Sequence, residues 1–192
     1  MNFHLKLIFW VLWSAWIMME IVVNLRARRL RQKEAVRSVK VDRGSVWFIY
    51  IGMYVLIATT FLLSMYRLGI MPKWVPYIGN CVMVFGLFMR YSAITQLGRF
   101  FSTTIQVADN QTVVSSGWYR YIRHPAYTGG WIIAVGVGLE LNTWIGTLII
   151  AVGLWAIYYH RIRVEEEELV ARLGPPYEEY CRKSWRMFWG IW

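Results

Sequence analysis

The chain has 192 residues, 57% of them hydrophobic and 17% aromatic, with 12 tryptophans and a net charge of +10. A soluble domain carries less apolar material than this, and the charges avoid the long apolar runs. The composition therefore excludes an ordinary aqueous globule and argues for one compact membrane bundle over residues 1–192. The basic excess reads as segments facing anionic lipid rather than as a nucleic-acid surface.

In chain order, the first apolar run covers 5–25 and is about long enough to cross the hydrocarbon core as a helix. Glu20 is its one interior acid. It lacks a small-residue cleavage site and is read as a retained span. Residues 26–44 follow, with eight basic and two acidic side chains. A second span is expected over 46–66 and a third over 75–95, with Arg90 near its far end. Residues 96–126 form the longest polar connection after the basic segment. Two further spans, 127–141 and 143–160, are expected to form a tight helical hairpin turning at Asn142. The charged remainder, 161–192, ends in the aromatic "MFWGIW", which suits a membrane interface.

With 26–44 placed inside, the inside segments carry eight, three and six basic residues, and the outside segments only Lys6, Arg67 and Lys73. The positive-inside rule then gives a definite orientation. The expected fold is an all-α integral membrane bundle of about five transmembrane helices, with the N-terminus out and the C-terminus cytoplasmic. Gly130, Ala134 and Gly138, four residues apart, predict a close-packing helix face. Cys81 and Cys181 read as free thiols, since the second lies in a segment assigned to a reducing compartment. No metal-site pattern, phosphate loop or soluble-type dinucleotide fingerprint is present.

Two charged constellations remain, both at the predicted cytoplasmic mouth. "GWYRYIRHPAYTGG" (117–130) opens the fourth apolar run. Pro125 suits the first position of a helix, and the N–H groups there favour an anionic group. Arg123 adds a planar, bidentate donor for a carboxylate. Interfacial snorkelling would by itself explain "RHP" (123–125). "HRIRVEEEEL" (160–169) closes the fifth run. On a helix Arg161 and Glu165 share a face, whereas Glu167 and Glu168 read as solvated.

Together, "RHPAYTGG" and "RIRVEEEELVARLGPPYEEY", with an apolar hairpin between them, resemble the isoprenylcysteine carboxyl methyltransferase family over roughly 96–186. The resemblance implies a helical membrane enzyme that uses S-adenosylmethionine to methylate the terminal carboxylate of a prenylated cysteine, or a related lipophilic acceptor. The single domain then divides into the three N-terminal spans read from hydropathy over 1–95 and a cofactor-binding loop, hairpin and C-terminal helices over 96–192. Carried over residue by residue, the resemblance places His124, Pro125, Tyr127, Gly129 and Glu166 at the cofactor. Tyr177 and Tyr180 of "GPPYEEY" cover it, and Gln111, which stands where family members often have a histidine, is expected to hold the cofactor in its place. Arg123, Arg161 and Glu165 are expected at the reacting centre, with Arg123 meeting Glu165. An acceptor carboxylate is already ionised at neutral pH and needs alignment rather than a base. A phospholipid or other lipophilic amine or thiol acceptor is the alternative substrate class. A non-enzymatic membrane scaffold or transporter is the alternative outside enzymes. The sequence leaves the oligomeric state open.

Overall fold

The computed structural model describes residues 3–33, 38–40, 45–102, 106–108 and 112–190. Gln111 lies outside them. Six helices carry the architecture: α1 (Phe3–Lys33), α2 (Ser45–Met65), α3 (Val75–Leu97), α4 (Pro125–Glu140), α5 (Trp144–Leu173) and α6 (Pro175–Lys183). Four contain stretches long and apolar enough to cross a bilayer, namely Leu7–Leu30, Trp47–Met65, Val75–Phe100 and Trp144–Leu173. The chain is a multi-pass membrane protein. The residues expected to form the fourth span fold as α4, which has 16 residues, fewer than the ~20 of an ordinary transmembrane helix.

Two boundaries differ from the hydropathy pattern. α1 continues through the arginine-rich segment as far as Lys33, and α5 carries on past the apolar run to Leu173. Hydropathy marks where lipid ends, whereas helix propensity marks where the helix ends, and Arg, Gln, Lys and Glu are all good helix formers. Gly174, with φ of 61°, stops α5, and Pro175 starts α6 directly behind it.

Large apolar side chains of α1 and α2, among them Trp10, Met18, Trp47, Phe48 and Tyr54, point outward. On a soluble protein such a surface would drive association. In a bilayer it is the lipid-contact face. The centre of the bundle is α3, α4 and α5. Glycines let α3 and α4 approach closely. A Cβ at Gly86 would fall 2.8 Å from the backbone N of Ile133, and one at Gly136 would fall 2.9 Å from the backbone O of Gly79. The expected small-residue face is also present, and it meets α5. Ala134 packs with Ile150, Leu154 and Tyr158, and a Cβ at Gly138 would lie 2.8 Å from Thr147 Cα. α4 is thus held on two sides by backbone-level contacts, which fixes its register.

Two three-residue strands, β1 (Ser38–Lys40) and β2 (Gln106–Ala108), pair antiparallel. They bring the basic segment after α1 and the segment before "GWYRYIRHP" to the same end of the bundle. The chain after α6 also returns to this end. Trp185 bridges to Ile122, and Met187 is fully buried in the core beside Tyr158. Cys81 and Cys181 are both unpaired thiols.

Candidate functional site

At the common end of α3, α4 and α5 lies a cavity of about 190 Å³. Its walls change character along its length. Trp16, Ile49, Tyr50 and Met53 close the side toward α1 and α2, and Tyr119, Leu169, Leu173, Tyr177 and Tyr180 close the side toward α6. Between them stand Arg90, Tyr127, Arg161 and Glu165.

One polar chain runs along the wall. Arg161 Nε donates to the Tyr127 hydroxyl at 2.8 Å, and that hydroxyl donates to Glu165 Oε2 at 3.0 Å. The expected shared face of Arg161 and Glu165 is real, with Tyr127 of α4 bridging them. A second chain is built from two charges inside separate spans. Arg90 of α3 donates to Glu20 of α1 through Nε, and through Nη2 at 3.1 Å, while its Nη1 reaches the carbonyl of Ala126 at 2.7 Å. A Cβ at Gly130 would lie 3.2 Å from Arg90 Nη1 and 3.0 Å from the Tyr158 hydroxyl. The second glycine of "YTGG" therefore makes room for this guanidinium.

Behind the wall is a separate ionic cluster centred on Glu166. Its Oε1 accepts from Arg123 Nε at 2.7 Å and from His124 Nε2 at 3.2 Å, and its Oε2 accepts from Arg186 Nε at 2.7 Å. Arg123 Nη1 also donates to the carbonyls of Cys181, at 2.9 Å, and Ser184. The tail completes the cluster through its backbone. The N–H groups of Arg123 and His124 donate to the carbonyls of Trp185 at 2.7 Å and Arg186 at 2.9 Å. The Thr128 hydroxyl donates to Met187 O at 2.7 Å. The residues that open α4 are thus engaged by the C-terminal tail, where an external anion had been expected.

This geometry corrects the pairing expected from the sequence. Arg123 meets Glu166, not Glu165. The two acids are adjacent in α5, but successive helical residues point about 100° apart, so one faces the cavity and the other faces the tail. Of the remaining expected site residues, His124, Tyr127, Tyr177 and Tyr180 line the cavity, as does Arg123. Pro125 is buried at the start of α4, and Gly129 packs on the backbone of Arg90. Pro125, Gly129 and Glu166 are not among the cavity-lining residues. Burial raises the hydroxyl pKa of Tyr119, Tyr177 and Tyr180 above the ordinary range, so this end is walled by neutral phenols at physiological pH. Tyr180 uses its proton to hold Tyr119 O at 2.7 Å.

Sequence reasoning left Glu20 and Arg90 unassigned. The signal that could have found them is the isolated acid in one span and the isolated base in another. Each is costly in lipid alone, and each is therefore expected to have a partner.

A sequence profile of the isoprenylcysteine carboxyl methyltransferase family matches residues 78–171, the stretch that contains Arg90, the α4 motif and the acidic run of α5. Over that stretch, just under half of its length, the chain is similar to this family. A protein-S-isoprenylcysteine O-methyltransferase of Schizosaccharomyces pombe is 37% identical over 100 residues, covering 51% of this chain and 42% of the relative. Protein-S-isoprenylcysteine O-methyltransferase A of Arabidopsis thaliana is 33% identical over 110 residues, covering 56% of each chain. The chain spans about half the length of the curated relatives it matches. The solved structure of a eukaryotic intramembrane Ras methyltransferase of the family superposes with a TM-score of 0.63 at 24% identity, over 72% of this chain and 51% of that one. That likeness places the helical arrangement within the family's fold.

Proposed function

We propose that this chain is an integral membrane methyltransferase. It transfers a methyl group from S-adenosylmethionine to the carboxylate of a prenylated cysteine, or of a similar lipophilic acceptor, and its site faces the cytoplasm. The observation that carries the reading is the graded cavity, with its line of arginine, tyrosine and glutamate between a wall at membrane depth and a wall of phenols. The names of the relatives support the reaction class.

The residues present fit the cofactor's chemistry. Its flat base suits the Tyr119, Tyr177, Tyr180 and Leu173 end. Glu165 supplies negative charge for its cationic groups, and Arg161 a fork for its carboxylate. When bound, S-adenosylmethionine supplies an activated methyl on a sulfonium. The acceptor carboxylate is ionised at neutral pH, so the protein needs no general base. Its residues align the acceptor and exclude water. Arg90 takes the aligning role on the side toward α1 and α2, where a lipid tail would lie against Trp16, Ile49 and Met53. Arg123 is a positioning residue, since its donors hold Glu166 and the tail. Pro125, Gly129 and Glu166 support the cofactor site by fixing α4 and α5 rather than by touching the cofactor.

In this reading 1–192 is a single methyltransferase domain. α4 and α5 cross as a hairpin to give five spans, with the N-terminus outside. A cysteine at Ser115 should label only from the cytoplasmic side and one at Lys73 only from the other. Labelling of both from one side would overturn the orientation. For the reaction, purified protein should bind S-adenosylhomocysteine and pass labelled methyl to lipophilic acids in preference to amines or thiols of matched chain length. Binding without transfer to any acid would remove the carboxylate assignment, and no binding would remove the enzyme.

A further inference from the structure

At the opposite end of α4 from the cavity, a second polar site has no part in the chemistry above. Among the described residues, four buried side-chain oxygens lack a hydrogen-bond partner: both oxygens of Glu140, Oδ1 of Asn80 and Oδ1 of Asn142. All four belong to one corner of the bundle. Glu140 ends α4 and is 0% exposed. Asn142 lies two residues on, in the turn to α5. Asn80 is on the first part of α3 and is 7% exposed. It adjoins Gly79, whose added Cβ would fall 2.6 Å from Glu140 N.

Local donors are already committed. Asn80 Nδ2 donates to Pro76 O at 3.2 Å, Ser64 Oγ to Leu141 O at 2.6 Å, and Thr143 Oγ1 to Leu68 O at 2.7 Å. The unsatisfied atoms gathered here are therefore all acceptors, those of one carboxylate and two amides. A buried carboxylate needs either a neutralising partner or a proton. Among the described residues, no basic side chain is paired with it.

We infer that Glu140, Asn80 and Asn142 form a binding site for a small hard cation, and that the cation is Na⁺. Oxygen ligands select hard ions over soft ones. One carboxylate with two neutral amides leaves a cluster of zero net charge around a monovalent ion, whereas a divalent ion would leave uncompensated charge in a low-dielectric setting. A bound ion would tie the start of α3 to the end of α4 and to the turn beyond it, and so hold the seam on which the position of α4 depends.

The test uses the purified full chain in detergent. Equilibrium binding of ²²Na⁺ should give about one ion per chain. Thermal stability should rise steadily with each tenfold increase in Na⁺ when choline keeps ionic strength constant. Glu140→Gln should abolish both effects. Asn142→Gly is the second variant. Asn142 has φ of 59°, which glycine adopts freely, so the turn is kept while the oxygen is lost, and Na⁺ affinity should fall about tenfold or more. Equal melting temperatures in Na⁺ and choline would overturn the proposal. So would a stability that follows pH but not Na⁺, because Glu140 is then held protonated. Unchanged ²²Na⁺ binding in both variants would place the ion elsewhere and overturn it as well.

Discussion

Glu165 and Glu166 are neighbours in the chain but belong to different machines. Glu165 faces the cavity and is reached by the Tyr127 hydroxyl. Glu166 faces away from it and collects Arg123, His124 and Arg186. The cavity wall is open to a ligand. The cluster beside it is centred on a buried carboxylate and cross-linked to the tail. A wall residue such as Glu165 can take a ligand group as a further partner, whereas one in the cluster cannot change partners without leaving a charge stranded. The family motif contains both kinds side by side, so membership in the motif does not by itself assign a chemical role.

Substitutions can break this contrast, beginning with the largest effect. Glu166→Gln removes the carboxylate that joins two arginines and a histidine. It should cost about 3–5 kcal/mol, the range for breaking a buried ion pair from one side. Thermal unfolding in detergent reads this, and an unchanged midpoint would show that the cluster is not a structural clamp.

Next come the wall residues. Glu165→Gln and Arg161→Lys should each lower turnover about a hundredfold, the order expected when reacting groups are misplaced by about an ångström. Both should leave the melting temperature within a few degrees of the parent. In each, kcat should fall more than the affinity for S-adenosylhomocysteine, because alignment acts in the transition state. Equal losses of stability and rate would merge wall and cluster into one unit.

Arg123→Lys is the intermediate case. It keeps the charge near Glu166 but loses the planar fork that also holds the carbonyls of Cys181 and Ser184. A cost of roughly 1–3 kcal/mol is expected from the lost charge-assisted bonds. Limited trypsin digestion should cut faster at Arg182, Lys183 and Arg186 as the tail loosens. If turnover drops a hundredfold with the tail still protected, Arg123, which also lines the cavity, acts on the ligand rather than on the tail.

The smallest effect is expected at Glu168, which pairs with Arg172 at 3.7 Å on a partly exposed surface. Glu168→Gln should change stability by less than about 0.5 kcal/mol and leave turnover unaltered. A loss comparable to Glu165→Gln would show that the face of α5 has been misread.

Much of this protein follows from the sequence alone, because the properties involved are local. Whether a 20-residue stretch prefers lipid depends on its own side chains, so the runs at 5–25, 46–66 and 75–95 are legible as helices at membrane depth. The 3.6-residue period likewise places Gly130, Ala134 and Gly138 on one face, and Arg161 with Glu165 on another. Tertiary structure decided the partners. The rotation of α5 about its axis sends Glu165 and Glu166 to different neighbours, and that rotation is set by close glycine contacts, Gly138 of α4 against Thr147 and Gly146 of α5 against Thr60 of α2. The return of the tail gives Arg123 and His124 backbone acceptors more than 60 residues away. The pairing of Glu20 with Arg90 joins α1 to α3 across 70 residues. Desolvation requires that each buried charge find a counterpart, and the sequence announces that requirement. Only the packing of the helices determines which counterpart is within reach.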